Sequence, residues 1–342
     1  MPLSAEARAV HDAATPVDLH ADTPKLMSRG YDLAKRHAPA WPLSSFGGHV
    51  DLPRMREGNL LAQFFGLWTF PIPERGCATD IHRQLDALER AAASAPQEFA
   101  LAVTAGDVLD AHAQGKRAGL RGIEGGQAIE GDIANVEVFA RRGVRYLGLL
   151  HFSANAVGKP ARGYGRDDSK GLSPFGCEVV DACAQNGLLV DLAHINRRGF
   201  FDAVQRRPGP LLVSHTGVAG VKEHWRNIDD EQVKAVADSG GVVGIIFAPR
   251  FIGGHLDAVV DHLLHVIRIG GDGAVALGSD WDGFIKPCDG LEDAARLPNL
   301  TEALLRRGIA VDTIHRLLGG NALRVLSMAP PHAWDAAHGA GA

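Results

Sequence analysis

The chain has 342 residues, 46% of them hydrophobic and 22% charged, the proportions of an ordinary globular protein rather than a disordered, collagen-like or fibrous one. That length accommodates one large α/β barrel or two ordinary domains. A formal charge of −5, with no run of Lys or Arg, argues against a nucleic-acid partner.

The first residues, M-P-L-S-A-E-A-R-A-V-H-D, lack an apolar h-region, so no signal peptide is expected. Short apolar runs then recur, and strands are predicted at 17–22, 61–70, 100–104, 120–124, 146–151, 188–194, 211–215, 242–247 and 274–280. They are dense in Val, Leu and Ile and alternate poorly with polar residues, as strands buried on both faces do. Helices are predicted between them at 79–94, 135–142, 174–186, 228–238 and 257–269, with Gly143, Gly187 and Gly270–Gly271 as C-cap signals. Strand and helix alternate about eight times, which favours a closed (β/α)8 TIM-type barrel over a doubly wound sheet. No glycine-rich nucleotide motif opens any of the helices. With no internal repeat or linker, residues 1–342 read as a single barrel domain, its core about 17–326 and its tail 327–342. The stretch 157–173, rich in Gly and charge, reads as a loop over the barrel mouth.

No apolar run reaches the roughly 18 residues of a membrane span, and the end, 330–342, has no hydrophobic anchor segment. Cys77, Cys177, Cys183 and Cys288 form no C-x-x-C pair and no zinc-finger spacing, and read as reduced thiols of a cytoplasmic protein.

The 16 histidines are the compositional outlier, and several end apolar strands. V-D-L-H-A-D sets His20 and Asp22 two apart, so on a strand both side chains face one side and can grip one metal ion. Glu124 ends R-G-I-E, His151 ends L-G-L-L-H, His194 ends L-V-D-L-A-H, His215 ends L-L-V-S-H and Asp280 ends L-G-S-D. A lone His in such a place is ordinarily structural, and Glu124 or Asp280 alone could cap a helix. Six strands ending together in metal-ligand types fit a two-metal catalytic site better, since buried charge is costly unless paired or metal-bound. The C-terminal ends of barrel strands gather on one face, where barrel enzymes keep their active sites. His49, His82, His112, His255, His262 and His265 fall on predicted helices or loops and read as surface or structural residues.

These segments, in order from about Val17 to Leu326, resemble the membrane-dipeptidase (renal-dipeptidase-like) family of zinc peptidases. Further markers are H-V-D-L-P-R-M-R-E-G, A-Q-F-F-G-L-W, G-I-E-G-G, R-N-I-D-D, L-G-S-D-W-D-G and L-L-G-G-N-A-L-R-V-L. The resemblance implies two zinc ions, His20 and Asp22 on one, His194 and His215 on the other, Glu124 bridging, and a metal-bridging hydroxide as nucleophile. It implies Asp280 as acid/base, His151 as the group polarising the scissile carbonyl, and Arg226 as the group holding the substrate's terminal carboxylate. The implied activity is hydrolysis of dipeptides, including those with a D-residue at the C-terminal position. Two departures stand out: Phe152 follows His151 where family members often have Asn, with Asn155 three positions on, and Ala193 precedes His194 where Ser is common. The first bears on substrate preference. Without signal peptide or anchor, the chain looks like the soluble bacterial type, and a homodimer is a family expectation. The residues leave open hydrolysis of another small amide, such as an N-acyl amino acid or a lactam, and a non-catalytic metal-binding barrel. Intact Asp280, His151 and Arg226 argue against the last.

Overall fold

The computed structural model describes residues 3–37, 47–70, 76–206 and 209–329. Its strands are β1 (Val17–Ala21), β2 (Ala62–Trp68), β3 (Phe99–Leu101), β4 (Arg117–Glu124), β5 (Val144–Gly148), β6 (Leu189–Asp191), β7 (Leu211–Thr216), β8 (Val242–Ile245) and β9 (Val275–Leu277). All pairings between them are parallel. β1 pairs with both β2 and β9, and β2 pairs with β4, so the ring β1-β2-β4-β5-β6-β7-β8-β9 closes into an eight-stranded barrel with helices between the strands.

The strand predicted at 100–104 is not a member of this ring. β3 pairs β4 only through Arg117–Gly119, and β5 pairs it from Arg121 onward. A capping box cuts the run short: Thr104 Oγ1 accepts from the Asp107 amide, and the Asp107 carboxylate accepts from the Thr104 amide. Together they start the helix Ala105–Ala113. The five predicted helices form within two residues of their expected bounds, as Cys77–Ser94, Ala134–Arg141, Pro174–Gln185, Asp230–Asp238 and Leu256–Gly270. The helix expected from 228 begins later because Asp229 and Gln232 form a second capping box. Gly143 and Gly187 take the left-handed φ of 72° and 66° that ends their helices.

Strand residues split into two packed layers. Phe64, Leu120, Leu212 and Ala276 share one cluster with Ala322, Val325 and Leu326 of the last helix, Asn321–Met328. Their strand neighbours Phe65, Ile123, Val213 and Leu277 join the larger cluster with Leu85, Phe200, Val233 and Leu263 of the surrounding helices. Burial on both faces is why these strands read as continuous apolar runs.

The loop 157–173 contains no helix or regular strand. It is tied to the segment after β6, since the Ala161 amide donates to His194 O and the Asn196 amide to Lys159 O. Burial pushes the thiols of Cys183 and Cys288 up to about 12, so both are unreactive at neutral pH. Among the described residues no helix is long and apolar enough to cross a membrane. The terminal stretch 330–342 lies outside the described residues.

Candidate active site

The eight residues singled out in the sequence converge at the C-terminal end of the barrel, though not all on strands. His20 lies in β1, His215 in β7, and Glu124 is the last residue of β4. His151, His194 and Asp280 each lie three residues past their strands, which end earlier than predicted. His194 and Asp280 adopt left-handed backbone, with φ of 65° and 62°. Such a conformation costs a non-glycine residue about 1–3 kcal/mol and persists where the surroundings impose it. Here the Asp280 amide donates to His20 O, and His194 O accepts from Ala161 of the mouth loop. A register shift in β1 between Asp18 and Ala21 re-aims its end in the same way.

One oxygen is the focus. Glu124 Oε1 lies 2.9 Å from His194 Nε2, 3.3 Å from His215 Nε2, 3.6 Å from His151 Nε2 and 3.8 Å from His20 Nε2. His20 Nε2 is also 3.2 Å from Asp22 Oδ1 and 4.0 Å from Asp280 Oδ1. His194 and His215 bring their Nε2 atoms to 3.0 Å from each other. Arg226, 4% exposed, reaches in from the loop after β7. Its Nη2 donates to His215 O at 2.7 Å and stands 3.2 Å from His194 Nε2. Arg226 is therefore buried in the site rather than solvated ahead of the helix that follows.

Neither carboxylate acts as a helix cap. Asp280 belongs to no helix, and the short helical turn after Glu124 has no side-chain cap. Instead Asp22 Oδ1, Glu124 Oε2 and His20 Nε2 are buried without a hydrogen-bond partner. Leaving such atoms unsatisfied costs roughly 1–3 kcal/mol each, more when charged. Burial raises the pKa of Asp22, with Asp282 adding to it, and that of Glu124, with Asp22 adding to it. Burial and then Asp22 push Asp280 up to about 8. Burial lowers His194 and His215 well below the usual imidazole value and His151 to about 3, which keeps their lone pairs free. Crowded carboxylates that repel one another beside neutral imidazoles are what divalent cations neutralise and bind. The residues present therefore fit a metal centre, and three sets of ligand atoms lie within reach of an ion: His20/Glu124/His215, Glu124/His151/His194 and His20/Asp22/Asp280.

The sequence model of the membrane dipeptidase family (peptidase family M19) matches residues 4–335. The chain belongs to this family. It is 32% identical to the dipeptidase TcpJ of Claviceps purpurea over 300 residues, 83% of this chain and 70% of that one. It is 30% identical to an uncharacterised dipeptidase of Schizosaccharomyces pombe over 334 residues, 90% of this chain and 79% of that one. Among solved structures it resembles a metallopeptidase of Rhodobacter sphaeroides liganded with a phosphinate mimic of L-Ala-D-Ala. That likeness has a TM-score of 0.81 at 26% identity, over 93% of this chain and 99% of that one. The protein is a metal-dependent dipeptidase.

Behind this cluster stand residues whose part was not read from the sequence. Tyr146 Oη lies 2.8 Å from His20 Nδ1 and donates to Leu19 O at 3.3 Å. Ser214 Oγ lies 2.8 Å from His215 Nδ1 and donates to Asp191 Oδ2 at 2.7 Å. Asp18 holds the Ser279 amide and hydroxyl, just before Asp280. The only sequence signal was position, a serine directly before a site residue in S-H-T and in G-S-D. His49, His262 and His265 are buried structural residues rather than surface ones. His49 Nδ1 accepts from the Asp282 amide, His262 Nδ1 from Val218, and His265 pairs with Asp230.

Proposed function

We propose that the metal centre holds two zinc ions, one on His20 and Asp22, the other on His194 and His215, with Glu124 shared between them. The observation that carries this is the convergence of four imidazole Nε2 atoms within 3.8 Å of Glu124 Oε1, beside buried oxygens that have no hydrogen-bond partner. Divalent ions there supply Lewis acidity toward a peptide carbonyl and acidify a water at neutral pH. Asp280 takes the proton of the attacking water and returns it to the leaving amine nitrogen. His151, held neutral by burial, directs a ring N–H at the scissile carbonyl oxygen as charge develops there. Arg226 binds the terminal carboxylate through its guanidinium fork. Substrates include dipeptides with a C-terminal D-residue, in keeping with the L-Ala-D-Ala mimic bound by the Rhodobacter sphaeroides relative.

Elemental analysis of metal-saturated, chelator-washed protein is expected to return two ions per chain, alongside turnover of both L,L- and L,D-dipeptides. Full activity with a reproducible content of one ion or fewer would defeat the two-ion assignment. A second expectation concerns Ser214. If His215 offers Nε2 to an ion, its Nδ1 carries the proton and donates to Ser214 Oγ, whose own hydrogen goes to Asp191. Removing such a partner typically weakens metal binding about 10- to 100-fold. Ser214→Ala should show that loss in competition with a chromogenic chelator, and unchanged affinity would separate Ser214 from the metal centre.

A further inference from the structure

We infer that this enzyme prefers dipeptides whose C-terminal residue carries a large apolar, above all aromatic, side chain, and that Phe152 and Trp225 select it. The inference rests on the proposed seats of the scissile carbonyl at His151 and the carboxylate at Arg226. Phe152 follows the first in the chain and Trp225 precedes the second. The Phe152 ring centroid lies 4.5 Å from that of His151, 4.9 Å from that of His194 and 6.2 Å from that of Trp225. Trp225 is backed by Phe251 at 5.8 Å. The rings of Phe152 and Trp225 therefore form an aromatic surface beside His151 and His194, and Arg226 Nη2 stands 3.2 Å from His194 Nε2.

Dipeptide chemistry then places the side chain. The scissile amide nitrogen and the terminal carboxylate are both attached to the Cα of the C-terminal residue. With those two groups held at His151 and Arg226, the side chain on that carbon emerges between them, and in one of its two configurations it lies alongside Phe152 and Trp225. Phe152 is 45% exposed although it stands over a buried site, so a substrate ring laid on it removes apolar surface from water on both partners. The backbone at this position is held independently of the ring. Phe152 O accepts from the Tyr164 amide at 3.0 Å, and a Cβ at Gly163 would come within 1.9 Å of that oxygen. Replacing the ring alone therefore leaves the loop in place.

The test compares kcat/KM for alanyl-phenylalanine and alanyl-alanine, in whichever C-terminal configuration the enzyme cleaves faster, on metal-loaded protein. Wild type should favour the phenylalanine peptide by about tenfold or more, the scale of a filled apolar subsite. Phe152→Ala should lower that ratio about tenfold, and Trp225→Ala should lower it in the same direction. Cleavage of both peptides with one common ratio in wild type and both variants overturns the aromatic subsite alone. Cleavage of neither peptide by wild type overturns the placement of substrate on which it rests, and the subsite with it.

Discussion

Asp280→Asn is expected to lower kcat at least about 100-fold while leaving the metal content near that of wild type. The loss is the usual scale for removing a general acid/base, about 2.7 kcal/mol of barrier. Asparagine is the informative replacement for a structural reason. Asp280 sits at a φ of 62°, in the left-handed region that Asn tolerates better than most residues. The hydrogen bond that its backbone amide donates to His20 O does not involve the side chain. The variant therefore keeps shape and backbone while losing the negative charge and the ability to take a proton. Metal analysis must accompany the kinetics, because Asp280 Oδ1 lies 4.0 Å from His20 Nε2 and is itself within reach of an ion. A near wild-type rate removes the acid/base role, and a slow variant that has shed one ion makes Asp280 a ligand instead.

Arg226→Ala should abolish most of the preference for a free C-terminal carboxylate. The contrast to measure is kcat/KM for a dipeptide against the same dipeptide amidated at its C-terminus. Removing one partner of a buried charge pair costs about 2–5 kcal/mol, so wild type should discriminate by well over tenfold and the variant hardly at all. Arg226 also bonds His215 O, so the alanine variant loses a contact that supports the site itself. Arg226→Lys separates the two effects. It keeps the charge in a buried position but cannot present a planar fork, so it should retain metal and part of the discrimination. Equal discrimination in wild type and both variants would mean that another group reads the carboxylate.

Much of the site was legible because metal chemistry restricts residue type. Only a few side chains bind divalent ions, and finding His20, Asp22, Glu124, His151, His194, His215 and Asp280 at the ends of apolar runs needed nothing beyond order and alternation. The helices were legible for a similarly local reason, since capping boxes such as Asp229/Gln232 and left-handed glycines such as Gly143 act within one turn. What the sequence by itself determined, then, is the alternation of elements, the barrel class and the residue types of the candidate site.

Only the tertiary structure decided which strands close the ring and how the candidate ligands face one another. β3 is apolar enough to read as a ring strand, yet ring membership is a matter of pairing on both edges, and β4 already has β2 and β5. His194 and Asp280 turn into the site through left-handed backbone, uncommon for any non-glycine residue, held by hydrogen bonds with Ala161 of the 157–173 loop and with His20 of β1. Arg226 looks solvated by its place before a helix, and its burial against His194 and His215 depends on the fold of a loop. Tyr146 and Asp191 carry no local signal of their role, and Ser214 only its place before His215, because a hydrogen-bond partner for a buried imidazole is defined by distance in space and not along the chain.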